Sequence, residues 1–126
     1  MTQNFGINSN SVTPNTVLGD HPPVTKAITI ATTGAEAIYT RGTVLGKITA
    51  SGLYAGLNPL AADGSETAAV VLLDDVTVDD TNDEPAVALV HGVVIADELV
   101  WTHDGITEAE QTAALDQLEA AGIYNK

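Results

Sequence analysis

Cysteine is absent from the 126 residues, which excludes disulfides and thiolate metal sites at once. Aromatic residues make up only 4% of the chain, so Val, Leu, Ile and Ala must fill any core. Basic residues are scarce as well: four Lys and Arg stand against 17 Asp and Glu, for a net charge of −13. Direct binding to a nucleic acid backbone needs clustered Lys and Arg and is disfavoured here. No apolar run approaches the length of a membrane-spanning helix. The opening MTQNFGINSN lacks the basic and apolar regions of a signal peptide. The expectation is a soluble protein made in the cytoplasm, with no membrane contact.

Catalytic motifs are missing too. Ser9, Ser11, Ser51 and Ser65 sit in no G-x-S-x-G context, and neither a phosphate loop nor a dinucleotide fingerprint occurs. His21, His91 and His103 stand far apart and none has a histidine partner at i+3 or i+4, so zinc would have to recruit carboxylates. The sequence is therefore read as a binding protein, with no enzyme activity and no cofactor.

Apolar residues supply 44% of the chain, enough for one domain with one modest core. The stretch from Thr43 to Val94 organises it. Short β-rich apolar runs alternate there with turn clusters at Ser51-Gly52, Asn58-Pro59, Asp63-Gly64 and Asp74 to Glu84. Strands are expected at Val24 to Ala31, Thr43 to Thr49, Leu53-Tyr54, Ala68 to Leu73 and Ala86 to Ile95. The run AAVVLL at Ala68 to Leu73 is the most apolar and reads as a central strand buried on both faces. Gly46 suggests a bulge or a close backbone approach, and His91-Gly92 another bulge. Ala35 to Arg41 is ambiguous, and Asp97 to Trp101 fits either a last strand or one helical turn. Trp101, the only tryptophan, reads as a core anchor between the last β element and the helix that follows, or else as an interface hot-spot residue.

That helix runs from Thr107 to about Ala121. Thr107 and Glu110 have capping-box spacing, and Ala114, Leu115, Leu118 and Ala121 form one apolar stripe. Gly122 supplies a left-handed close that folds Ile123 back onto Leu118. The fold class is mainly β with a small α component (α+β): a compact single domain of short strands with one C-terminal helix.

In front of it, residues 1–23 read as an extended arm. Asn, Ser and Thr are frequent, and Pro14 and Pro22-Pro23 prevent helix. Its isolated apolar and proline residues (Phe5, Ile7, Val12, Pro14, Val17 and Leu18) can order only against a partner, for instance by adding a strand to an exposed sheet edge. They are the candidate binding residues, and residues 24–126 form the β-rich domain.

Charge is unevenly placed. Residues 1–60 hold Asp20 and Glu36 against Lys26, Arg41 and Lys47, a balance of +1, whereas residues 61–126 hold 15 acidic residues against Lys126, a balance of −14. This suggests a near-neutral docking face and an acidic solvent face. The pairs Asp74-Asp75, Asp79-Asp80 and Asp83-Glu84 invite a calcium reading, but they lack the order of an EF-hand loop and read as a solvated acidic turn.

Four features in order resemble the small head decoration proteins of tailed phages, whose best-known member belongs to phage lambda. They are Gly42-Thr43-Val44-Leu45-Gly46 with Ser51-Gly52-Leu53-Tyr54, then Ala62 to Ala68 (ADGSETA) leading into Val71-Leu72-Leu73, then Val87 to Val93, and finally the helix ending in Ala121-Gly122-Ile123. Together they cover roughly residues 24–124. The resemblance implies a virion protein that binds the major capsid protein on the outside of the expanded head. It implies a homotrimer at local three-fold positions, acting as cement against internal DNA pressure, with residues 1–23 meeting the capsid. Two rival readings are an acidic surface β-module binding calcium or carbohydrate, and an acidic DNA mimic occupying a basic protein site.

Overall fold

The computed structural model describes residues 23–126. Among these residues, eight short strands and one α-helix follow each other. The strands are β1 (Val24–Ile30), β2 (Ala37–Tyr39), β3 (Val44–Lys47), β4 (Tyr54–Gly56), β5 (Ala68–Leu72), β6 (Val76–Val78), β7 (Glu84–Val94) and β8 (Ile123–Asn125), with α1 (Glu108–Ala121) before the last.

The sheet order β1-β4-β3-β5-β7, with β7 pairing back to β1, closes a five-stranded barrel. Closure is possible because β7 has 11 residues. Its first part pairs antiparallel with β1, from Ile30↔Glu84 to Val24↔His91, and its last part takes β8 in parallel at Gly92↔Ile123. β2 and β6 form a separate antiparallel ribbon.

Period-two alternation sorts the apolar residues into two layers. Leu45, Val70, Leu72 and Ala88 point into the barrel with Ile28, Ile30 and Tyr54. Their neighbours Val44, Val71 and Leu89 point outward, where Ala114 and Leu118 of α1 and Ile123 cover them. β5 is therefore buried on both faces, as the run AAVVLL required. Trp101 is half-buried against the outer layer, on the core side of its two readings.

Gly46 satisfies both of its expectations. The register slips between Leu45↔Val70 and Gly46↔Ala68, leaving Ala69 of β5 as the extra residue of a bulge. A Cβ on Gly46 would also meet the Ser65 backbone, 2.6 Å from its oxygen. Near His91 the β1–β7 register shifts between Val24 and Thr25, so the irregularity falls at Leu89 to His91, just ahead of the expected His91-Gly92.

The capping box at Thr107 forms as the spacing predicts. Glu110 N–H donates to Thr107 Oγ1 at 3.1 Å and Thr107 N–H donates to Glu110 Oε1 at 2.9 Å. Gly122 takes the left-handed conformation at φ 103°, and Ile123 is buried beside Leu118.

Several boundaries differ from expectation. The acidic turn contains β6, because the β-branched triplet Val76-Thr77-Val78 pairs with the ambiguous Ala37–Tyr39 segment. β7 starts at Glu84, inside that same segment. Ala121 is exposed and leaves the apolar stripe, whose buried members are Ala114 and Leu118. Residues Ala96–Glu98 form a 3₁₀ turn, and Val100 then makes one parallel bridge to Thr43. Both readings of Asp97 to Trp101 are thus partly realised. β8 is three residues long and had no sequence signal of its own.

Candidate functional site

Strands from the first half of the chain (β1, β4, β3) adjoin one another around the barrel, and so do β5 and β7 from the second. The uneven charge along the sequence thereby becomes two walls. Lys26 and Lys47 are exposed on the first wall. The acidic segment closes the far end of β1: Thr32 N–H donates to Asp83 Oδ1 at 2.9 Å, and the Thr32 hydroxyl donates to the Asp79 carbonyl at 2.7 Å. The described chain begins at the other end of β1, roughly 20 Å away along a seven-residue strand.

At that beginning several exposed apolar residues stand near one another. Val24 pairs with His91, one residue before the Gly92↔Ile123 pair, so the start of β1 and the C-terminal strand meet β7 at the same level. The helix covers Val71 and Leu89 from one side only. Beside them runs an uncovered groove of about 810 Å³, lined by Pro23, Thr25, Leu73, Val93, Ile95 and Leu99 among others. Val93 and Ile95 are 52% and 54% exposed, and Val24 is 50% exposed. Arg41 stands on one wall of the groove and Glu98 on another. An uncovered groove with apolar walls is a candidate contact surface, because water contact there is costly. It offers neither a nucleophile nor converging acids.

Phe5, Ile7, Val12, Pro14, Val17 and Leu18 lie outside the described residues. The groove residues were not singled out from sequence. Val93 and Ile95 read as ordinary alternate strand residues, and only the ending of the helix cover makes them surface.

The other sequence candidates are engaged elsewhere. Ser65 is buried, and its hydroxyl donates to Asp63 Oδ1 at 2.6 Å while its N–H donates to the same oxygen at 3.0 Å. These bonds hold the Asp63 carboxyl below the usual aspartate range, with the hydroxyl contributing most. The pair borders a shallow second concavity of about 530 Å³ with Tyr39, Thr102, His103 and Asp104. Burial pushes the Tyr39 hydroxyl up.

The carboxylates of the acidic segment cap backbone amides. Asp79 accepts from the N–H groups of Asn82 (2.6 Å) and Thr81 (3.0 Å), which lowers its pKa. Asp75 accepts from Arg41 N–H at 2.7 Å. Among the described residues, no three His, Asp or Glu side chains gather as a metal-binding group. His91 sits against Gly122 and edge-on to Tyr124, ring centroids 6.3 Å apart.

A protein-family model described as Bacteriophage lambda head decoration protein D matches residues 7–123. The match takes in most of the arm, beyond the residues that carried the resemblance. Among curated proteins, none matches the chain.

Proposed function

Since the chain belongs to the bacteriophage lambda head decoration protein D family, we propose that it docks on the expanded phage head through the end of the barrel where β1 begins. The family role is structural and non-enzymatic: decoration of the capsid surface of the virion. The observation that carries the docking assignment is the apolar groove at that end, bordered by Pro23 and adjoining β8. In this reading Phe5, Ile7, Val12, Pro14, Val17 and Leu18 meet the major capsid protein, and the groove shares in the contact. The acidic loop at the far end of β1 faces solvent.

The protein acts as a homotrimer at three-fold positions of the shell. Three arms on one particle turn weak contacts into avid ones. Apolar area buried between subunits adds stability to a domain without disulfides. A ligand that binds only the expanded shell stabilises that state by linkage, which opposes the pressure of packaged DNA.

The test is co-sedimentation with unexpanded and expanded capsids of the source phage, using the full chain beside a version lacking residues 1–23. Binding to expanded shells only, lost with the arm, is the expected result. Equal binding by both versions would move the site into the barrel. No binding to either shell would end the docking reading.

A further inference from the structure

β1 is the least enclosed strand of the barrel. On one side it pairs with β7 along its whole length, but on the other it meets β4 at a single position, Ile30↔Tyr54. The direction of its backbone groups follows from two hydrogen bonds. Ala31 N–H donates to the Tyr54 carbonyl at 2.8 Å, so the odd-numbered residues of this strand turn their N–H and C=O toward the β4 side. Independently, Leu73 N–H donates to the Val87 carbonyl at 3.0 Å, which turns Val87 toward β5 and its even neighbours Ala86 and Ala88 toward β1. Their partners Ile28 and Lys26 therefore fill the ladder, and Thr25, Ala27 and Thr29 face away from it. Pro85 fits this phase: it stands opposite Thr29, where β1 asks for no donor. The same parallel pair sets Tyr54 between Ala31 N–H and the Thr29 carbonyl, so among the described residues it is Thr25 and Ala27 that no strand covers on the β4 side.

We propose that this open edge of β1, through the N–H and C=O groups of Thr25 and Ala27, accepts an extended segment of the capsid protein as an added strand. The inference rests on the docking reading above and locates a contact within the barrel, separate from the arm. The side chains along the edge are small, and Thr25 and Ala27 are exposed, so a second backbone can approach to strand spacing. Thr25 also lines the apolar groove, so main-chain pairing and apolar contact adjoin. The edge lies on the wall that carries Lys26, away from the acidic loop.

Amide hydrogen exchange of the full wild-type chain, free and on expanded capsids, tests this on peptides spanning 23–31. Fast exchange at Thr25 and Ala27 in the free protein, slowed on the capsid, supports the proposal. Sedimentation with the shell without that protection overturns it and leaves the docking reading standing, whereas failure to sediment overturns both. Protection already present in the dilute free chain would assign the edge to its own first residues. Protection that grows with protein concentration would assign it to a second copy, and either outcome overturns the proposal. In a parallel arm, Ala27→Pro removes a donor from the open edge and none from the β1–β7 ladder. It is expected to weaken capsid binding about tenfold, while Ala27→Val binds as wild type. Equal binding by a folded Ala27→Pro would also count against the edge.

Discussion

Gly46 shows how little room single residues have in this barrel. It sits in β3 with a φ that any residue can adopt, yet a methyl group there would press into the Ser65 backbone, with the Ser65 Cα only 2.7 Å away. Backbone cannot yield as a side-chain tip can. Gly46→Ala is expected to lower stability by about 1–3 kcal/mol, as overpacking does, read as a lower urea midpoint. The hydrogen-bonded aspartates give a second test. Asp79 has its pKa lowered from 3.8 by the backbone N–H groups of Asn82 and Thr81. A depressed folded value means its contribution is present above the unfolded pKa and is lost as pH falls through the lower, folded one. Thermal melts taken from neutral pH down to about pH 2 should therefore fall more steeply for wild type than for Asp79→Asn. Relief of the −13 charge by acid is nearly common to both proteins, so the difference isolates the bonds.

At the scale of elements, α1 is the piece whose sequence carried most of its structure. Its cap, its stripe and its glycine close are local, and local signals need no knowledge of the rest of the chain. Thr107→Ala removes the side-chain acceptor of the capping box and should cost about 1 kcal/mol in chemical denaturation. Leu118 is buried to 1% exposure between the helix and the outer sheet face. Leu118→Ala should cost about 2–5 kcal/mol, with the unfolding midpoint falling further than for any exposed Ala substitution on α1. The ribbon of β2 and β6 makes the opposite point. Three-residue strands have no period to read, and the surrounding aspartates mask Val76-Thr77-Val78 as a turn. Pairing between Ala37–Tyr39 and that triplet decides both.

For the whole molecule, the docking reading predicts a separation between folding and binding. Replacing Val17 and Leu18 together by Asp should leave the melting temperature within about a degree, as changes outside the core usually do, and reduce co-sedimentation with expanded capsids. Val93→Asp, in the exposed groove, should weaken binding with a similarly small effect on melting. Charge reversals among residues 63–84 should leave capsid binding intact, and their abolishing it would overturn the outward placement of the acidic end.

Composition and short-range pattern determined the class of this protein: no cysteine, few aromatics, β-rich runs cut by turns and one capped helix. The ordered motifs from Gly42 to Ile123 pointed to the family as well, because turn glycines and strand spacings are local features that survive in one dimension. Only the tertiary structure decided that β7 closes a barrel on β1, that β8 and the start of β1 meet β7 at the same level, and that among the described residues β1 keeps an open edge. Each of these depends on pairing between residues far apart in sequence. Which edge stays open depends on how two distant strands diverge, and the residues on the edge itself do not record that.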